Sequence, residues 1–427
     1  MTALMCARKP AKPAPAHGYA RSGSRLRFRS GTWTALASIL LIATVIGYFR
    51  WAHTTPAVAD ALANATDASS WDAYVAASAL IRQGSHQSLS SLSSRETVEA
   101  IIQENRPGLS ALHELVRLDV RVPSTARAVD RDSQNTLNRL LLDAPRLFAA
   151  EGAFTRLDGQ VEEAVSCALD GMELCFKVSS GGTMGDIYRA KQGVRWNSTL
   201  VKKCVNELDR RYAGEALERL NDVRDDWGSF DDALDSEYKS ALHYLIEHWQ
   251  LVDQASEIGW LWSTARDWGY RRAVGDWLTP RSVTTIRLRR WVSKCKADLR
   301  PLGAPQSAPV PPRDWMLDVW LPDPVVMWGD YRSTLLYLDQ CRIALALHIY
   351  RSDHGTFPAS LESVTTLLGG KLPEDAFSDH RLIYRRTSQG YELRSVGPVG
   401  IDTSAREWPV RPGGLLGDDV VLAFPPQ

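Results

Sequence analysis

Between Arg29 and Arg50 runs SGTWTALASILLIATVIGYF, twenty residues without a charged side chain. At about 1.5 Å of rise per residue, a helix of that length is about 30 Å long, the thickness of a bilayer's hydrocarbon core. Nothing else in the chain narrows its options so far. Trp33 stands near one end of the run and Tyr48, Phe49 and Trp51 at the other, where amphipathic rings favour the headgroup region.

Charge sets the direction of the span. Residues 1–59 carry Arg8, Lys9, Lys12, Arg21, Arg25, Arg27, Arg29 and Arg50 and no Asp or Glu. The whole chain has 50 basic and 50 acidic residues, so residues 60–427 hold an excess of eight acids. The positive-inside rule places residues 1–29 in the cytoplasm and residue 54 onward outside. The expected location is the cell inner membrane, single-pass, with lipid around residues 30–53 and the bulk on the periplasmic or external side. A buried core helix would need no basic prelude. A cleavable signal is the nearer rival, because Ala57-Val58-Ala59 has the small-residue spacing of a cleavage site. Against it, the apolar run is longer than usual, and Arg50, Trp51 and His53 interrupt the approach to that site. The tail over 1–29 is rich in Pro, Ala and Gly; it is expected to be disordered and drawn to anionic lipid. The acidic remainder would repel a phosphate backbone, which argues against a nucleic-acid partner.

Residues 60–300 read as an α-helical domain. WDAYVAASALIR places Trp71, Tyr74, Ala77 and Leu80 or Ile81 at helical spacing. SSRETVEAIIQENRPGLSALHELVRL predicts two amphipathic segments, broken at Pro107-Gly108. VEEAVSCALDGMELCFKV stops at Gly181-Gly182, and EALERLNDVRDDW and DSEYKSALHYLIEHWQLVDQ are again periodic. No repeat of fixed length emerges, so an irregular bundle is expected rather than a solenoid. APQSAPVPPR cannot continue a helix, because each proline removes a donor and crowds the preceding turn; residues 301–330 are therefore expected to be a linker or surface crossing.

After the prolines the pattern changes. YRSTLLYLDQCRIALALHIYRSDHG predicts one long helix ended by Gly355, and a short helix follows Pro358 with Leu361, Val364, Leu367 and Leu368. RLIYRRT, YELRSVG and DVVLAF read as strands, the first two joined at Ser388-Gln389-Gly390. The expected fold class is mainly α: one N-terminal transmembrane helix, an irregular helical bundle, and a small α+β unit over 331–427.

The run ALALHIYRSDHGTFPASLESV, with LPEDAFSDHRLIYRRTSQGYELRSVGPVGID and DDVVLAF after it, resembles the C-terminal region of the major pseudopilins of bacterial type II secretion over about residues 342–424. Residues 70–424 are more broadly similar to membrane-anchored proteins of planctomycete-like bacteria for which no activity is known. The pseudopilin likeness implies a calcium site in the final loop. There the familiar GPDG stands as Gly397-Pro398-Val399-Gly400, leaving Asp402, Glu407, Asp418 and Asp419 as the hard oxygen ligands on offer. A pseudopilin's apolar helix runs directly into this unit behind a peptidase site. In this chain nearly 280 residues intervene and no such site flanks Gly31.

The chain contains no HExxH, GxSxG, phosphate-binding loop or paired CxxC. His243 and Glu247 share a helical face, and Asp353-His354 closes a helix; both read as ordinary surface and capping contacts. Asp222, Asp225, Asp226, Asp231 and Asp232 read as a solvated turn between helices. Of the outer cysteines, Cys167 and Cys175 are too far apart to bridge within one straight helix, while a bond from either to Cys204 is geometrically open. Eleven of the fifteen tryptophans fall between Trp196 and Trp328. Trp260, Trp262, Trp268 and Trp277 interleave with Arg266, Arg271 and Arg272, as rings lining a groove for glycan or protein would, or as core filling. With no catalytic constellation, no catalytic residue and no resident cofactor are assigned. The expectation is a membrane-tethered exported module that contacts an envelope protein or glycan. An envelope-polymer hydrolase or lyase working through carboxylates is the alternative, and a secretion-associated pseudopilin-like component is the third reading.

Overall fold

The structure, a computed structural model, describes residues 68–82, 84–85, 89, 95–118, 122, 131–254, 280–299, 321, 323–378, 380–388, 390–396 and 421–424, preceded by Thr44. The chain divides into two compact units, Met1–His53 and Thr54–Gln427. In the first, Thr44 alone is described; it is helical and exposed. The spanning helix expected over 30–53 otherwise lies outside the described residues. Among those residues, no helix is long and apolar enough to cross a membrane.

The second unit is mainly helical with a small antiparallel sheet. Its helices are α1 (Ala68–Ala79), α2 (Arg95–Leu115), α3 (Arg131–Asn138), α4 (Ala144–Leu157), α5 (Val161–Ser179), α6 (Met184–Cys204), α7 (Arg210–Asp226), α8 (Phe230–Gln254), α9 (Arg281–Leu299) and α10 (Pro324–His354). A π-helical turn, Arg139–Asp143, joins α3 to α4.

At the centre α4, α5 and α6 pack against one another, and each contributes a glycine where the chains approach most closely. A Cβ on Gly152 would lie 2.6 Å from Leu200 Cδ2, one on Gly171 2.6 Å from Asn197 Nδ2, and one on Gly193 2.8 Å from Pro145 Cβ. Asn197 sits in that crossing and donates to the carbonyls of Pro145 and Gly193, both at 2.9 Å. The missing side chains therefore set the interhelical distance, and the Asn197 amide ties α6 to α4 across it.

The Pro107-Gly108 pair does not break the chain as the sequence predicts. α2 runs through it from Arg95 to Leu115. Packing against α1 outweighs the missing backbone donor: a Cβ at Gly108 would meet Ile81 Cδ1 at 2.7 Å, so the glycine serves close contact between the helices. Asn105 fastens the same turn, its amide donating to Ile101 O at 2.7 Å and its carbonyl accepting from the Arg82 N–H at 2.7 Å.

α10 begins within the segment expected to be a linker. Asp323 caps it by accepting from the Val325 N–H at 2.9 Å, and Pro324 occupies the first turn, where its missing donor costs nothing. Gly355, at φ 75°, closes it in the left-handed conformation that a side chain disfavours. The helix packs against both α6 and α7 and is buried around most of its circumference. Several of its buried polar groups are paired: Asp330 with Lys191 at 2.6 Å, Asp339 with Arg342 at 2.7 Å, and His348 Nε2 with Leu208 O at 2.9 Å.

Two short 3-10 turns, Leu361–Val364 and Thr366–Leu368, take the place of the expected short helix. The strands β1 (Ile383–Arg386), β2 (Tyr391–Arg394) and β3 (Val421–Phe424) then form an antiparallel sheet in the order β1-β2-β3, with Ile383 opposite Arg394 and Tyr391 opposite Phe424. Tyr391 and Leu393 alternate inward and join the same hydrophobic core as Tyr74, Leu141 and Leu345. Cys167, Cys175, Cys204, Cys295 and Cys341 are all free and buried, so the bond considered between Cys204 and α5 is not made.

Candidate functional site

Asp170 is the anchor of the site. It lies in the middle of the apolar stripe of α5, and its side chain is only 3% exposed. A carboxylate so placed requires partners, because desolvation of an unpaired charge is costly. One oxygen faces His113 Nδ1, from the last turn of α2, and the other is bonded by Arg219 of α7. Cys167, Asp170, Glu173 and Lys177 recur at helical spacing on α5, which aligns them along one stripe.

From Asp170 the network extends both ways. His113 Nε2 meets Glu151 of α4 at 3.2 Å, and the imidazole packs edge-on against Phe148 with ring centroids 4.5 Å apart. Arg219 continues to Glu173 through Nη2 at 2.6 Å and Nε at 2.8 Å. Glu173 in turn pairs with Lys177 at 2.8 Å, whose ammonium donates to the carbonyl of Val116 and, at 2.9 Å, to that of Leu118. Three acids, Glu151, Asp170 and Glu173, thus alternate with three cations, His113, Arg219 and Lys177. The chain of charges stitches α2, α4, α5 and α7 together, and Lys177 neutralises carbonyls at the C-terminal end of α2.

The electrostatics follow from that arrangement. Burial by itself would lower the pKa of His113. Hydrogen bonds with Asp170, Cys167 and Glu151, together with the charge of Asp170, overcome it and raise the value to about 11. The imidazole is therefore a cation at neutral pH. Burial raises the pKa of the Cys167 thiol; the His113 bond opposes that rise and the Glu151 charge adds to it. Burial opposes the charge on Arg219, but Asp170 and Glu173 more than compensate and raise its pKa. His113, Glu151 and Cys167 each bring one potential metal-ligand atom, and these atoms all lie within 4.8 Å of one another.

Beside this centre, α5 and α7 enclose a groove of about 1000 Å³. Leu169, Phe176, Ala216 and Val223 give it an apolar floor, while Arg219 and Glu173 join it to the charged centre. Trp227 stacks edge-on against Phe176 at 3.9 Å between centroids. The rim carries charges left unspent: no ion pair connects Asp222, Asp226 or Arg117 to another described residue, and all three are exposed.

Several residues singled out in the sequence fall elsewhere. Trp260, Trp262, Trp268 and Trp277 lie outside the described residues, as do Asp402, Glu407, Asp418 and Asp419. His243 and Glu247 form a surface pair at 3.1 Å on α8, and His354 Nδ1 meets Tyr350 O at 3.0 Å at the end of α10. The acidic cluster read as a turn lies instead on the end of α7 and the first turn of α8, where Asp232 accepts from the Ser229 N–H at 2.9 Å, while Asp222 and Asp226 stand on the groove rim. His113, Glu151, Asp170 and Arg219 were not singled out in the sequence, and Cys167 was weighed there only for a disulfide. One signal was legible: the acid of SCALDGMEL occupies a core position of its helix. No family model, no curated protein and no solved structure matches the chain.

Proposed function

We propose that the chain is a membrane-tethered, exported binding module, held by residues 30–53, whose α5–α7 groove takes a basic, amphipathic segment of an envelope protein. The groove carries the reading. Its volume is at the upper end of the range for small-ligand sites, and its floor is apolar. Among the described lining residues without an ion pair, the exposed acids Asp222 and Asp226 outnumber the cation Arg117, so charge complementarity favours a partner that offers lysine or arginine. The charged centre behind the groove fixes α5 and α7 and so presents a preformed surface, which reduces the ordering cost of binding. The tether rests on the twenty-residue apolar run and its one-sided basic flank.

Binding to the full chain in lipid nanodiscs tests this reading. The probes are a Lys/Arg-bearing amphipathic peptide, its Glu-bearing counterpart and a purified envelope glycan. The basic peptide should bind, weaken with salt, and lose at least about tenfold in affinity when Ala216→Trp fills the floor. Preference for the acidic peptide or the glycan, or indifference to Ala216→Trp, would contradict it.

The alternative, a hydrolase or lyase of envelope polymer, draws on a separate observation: Glu173, Glu215, Asp222 and Asp226 converge on one concavity. Glu173 is committed to Arg219 and Lys177, which leaves the exposed acids to do the chemistry. Turnover of envelope polymer, abolished by Glu215→Gln or Asp222→Asn, is what that reading requires. The long helix followed by a three-stranded antiparallel sheet supports the pseudopilin-like reading of residues 342–424. The embedding of α10 between α6 and α7 speaks against filament assembly through that helix.

A further inference from the structure

We infer that His113, Glu151 and Cys167 form a three-ligand binding site for a divalent transition metal, zinc by preference, with Asp170 as the carboxylate that orients the histidine. The three ligand atoms come from three helices, α2, α4 and α5, and all lie within 4.8 Å of one another. Small side-chain rotations that draw the three atoms inward would let one ion reach all of them at ordinary metal–ligand distances of about 2.0–2.3 Å. One nitrogen, one sulfur and one carboxylate oxygen suit zinc better than calcium or magnesium, which want oxygen alone.

Two features go beyond a simple ion pair. First, the histidine has the support that metal-bound histidines almost always have: Nδ1 faces Asp170, which leaves Nε2 directed at the cluster, and Arg219 holds Asp170 in turn. Second, an ion pair accounts for His113 between two carboxylates but not for the third member. The buried sulfur of Cys167 clusters with both His113 and Glu151; burial and the Glu151 carboxylate favour its neutral thiol, and a dication shared by the three side chains would reverse that balance. Binding exchanges the Nε2 proton and the Sγ proton for one dication. The charge of the buried centre is then unchanged, and Asp170 and Arg219 need not adjust. The side chains of His113 and Glu151 keep 28% and 18% exposure, so solvent reaches the site and a fourth position is open to water.

Full-length protein in detergent, stripped with a chelator and titrated with Co²⁺, provides the test. The expected result is one cobalt per chain, a tetrahedral visible spectrum and a thiolate-to-cobalt charge-transfer band, with Zn²⁺ displacing the cobalt. Cys167→Ser should abolish the band. Asp170→Asn should keep the band and weaken binding by about tenfold or more. Should Cys167→Ser fail to fold, Glu151→Gln decides, with weakened binding and an altered visible spectrum expected. Sub-stoichiometric cobalt in the wild type, a band that survives in Cys167→Ser, or Glu151→Gln binding as wild type does would each overturn the assignment.

Discussion

Asp170 shows how one residue can determine the arrangement around it. It is a buried acid that both a histidine and an arginine approach, and removing its charge leaves two partly desolvated cations with one carboxylate each, Glu151 for His113 and Glu173 for Arg219. Asp170→Asn should cost about 3–5 kcal/mol, read as a shift in the denaturant midpoint. A change below about 1 kcal/mol would mean that Glu151, Glu173 and solvent compensate the two cations without Asp170. Glu237 makes a prediction of opposite character. Burial raises its carboxyl from 4.5 to about 7; the bond from the Met184 N–H opposes the rise and the charge of Asp186 adds to it. The folded state then holds a proton that the unfolded state has lost, so this group's favourable contribution is present below pH 4.5 and disappears as pH rises through 7. Glu237→Gln, which keeps the acceptor for Met184, should be more stable than wild type above that range by about 3 kcal/mol. Unfolding at several pH values checks the slope; a variant parallel to wild type across the window would refute it. Little of this was legible in advance. Periodicity assigns a stripe to the core, but it does not say which distant helix supplies the partner for a charge lying in it.

At the scale of elements more of the fold is legible in the sequence, and what is not has identifiable causes. Helical spacing predicted α1, α5, α7, α8 and α10, and alternation predicted β1, β2 and β3. The failure at Pro107 arose because local propensity, worth about 3 kcal/mol against proline in a helix interior, was outweighed by the packing of α2 on α1. If so, Pro107→Ala restores a hydrogen bond without loss of packing and should stabilise the protein by about 1–3 kcal/mol. Destabilisation in a melting experiment would show instead that the helix depends on the proline. The early start of α10 was readable in principle, since Asp323-Pro324 is a capping residue followed by a first-turn proline, but the prolines upstream obscured it. The α4–α5–α6 crossing was not readable, because glycine in a helix is as often a weakness as a contact. Gly171→Ala should therefore cost about 1–3 kcal/mol, as overpacking against Asn197 does, rather than gain the usual helix-propensity increment. Thermal unfolding gives the sign.

Across the whole of the unit Thr54–Gln427, the helical region and the C-terminal sheet share one core, with α10 packed against α6 and α7. The change of pattern after the prolines suggested separate modules, because composition reports what a segment is made of and not what it is buried against. Leu345→Ala, in the middle of α10, should cost about 2–5 kcal/mol and shift circular dichroism and tryptophan fluorescence together. Two resolved transitions would indicate modules that unfold apart. The same architecture holds the groove open between α5 and α7, with charge behind it and acids on its rim, and the binding function rests on that groove. Hydrogen exchange on the full chain in nanodiscs, with and without the basic amphipathic peptide, measures this most directly. Added protection is expected only on the facing parts of α5 and α7, around Phe176 and from Tyr212 to Asp226. Protection elsewhere, or none at saturating peptide, would contradict it.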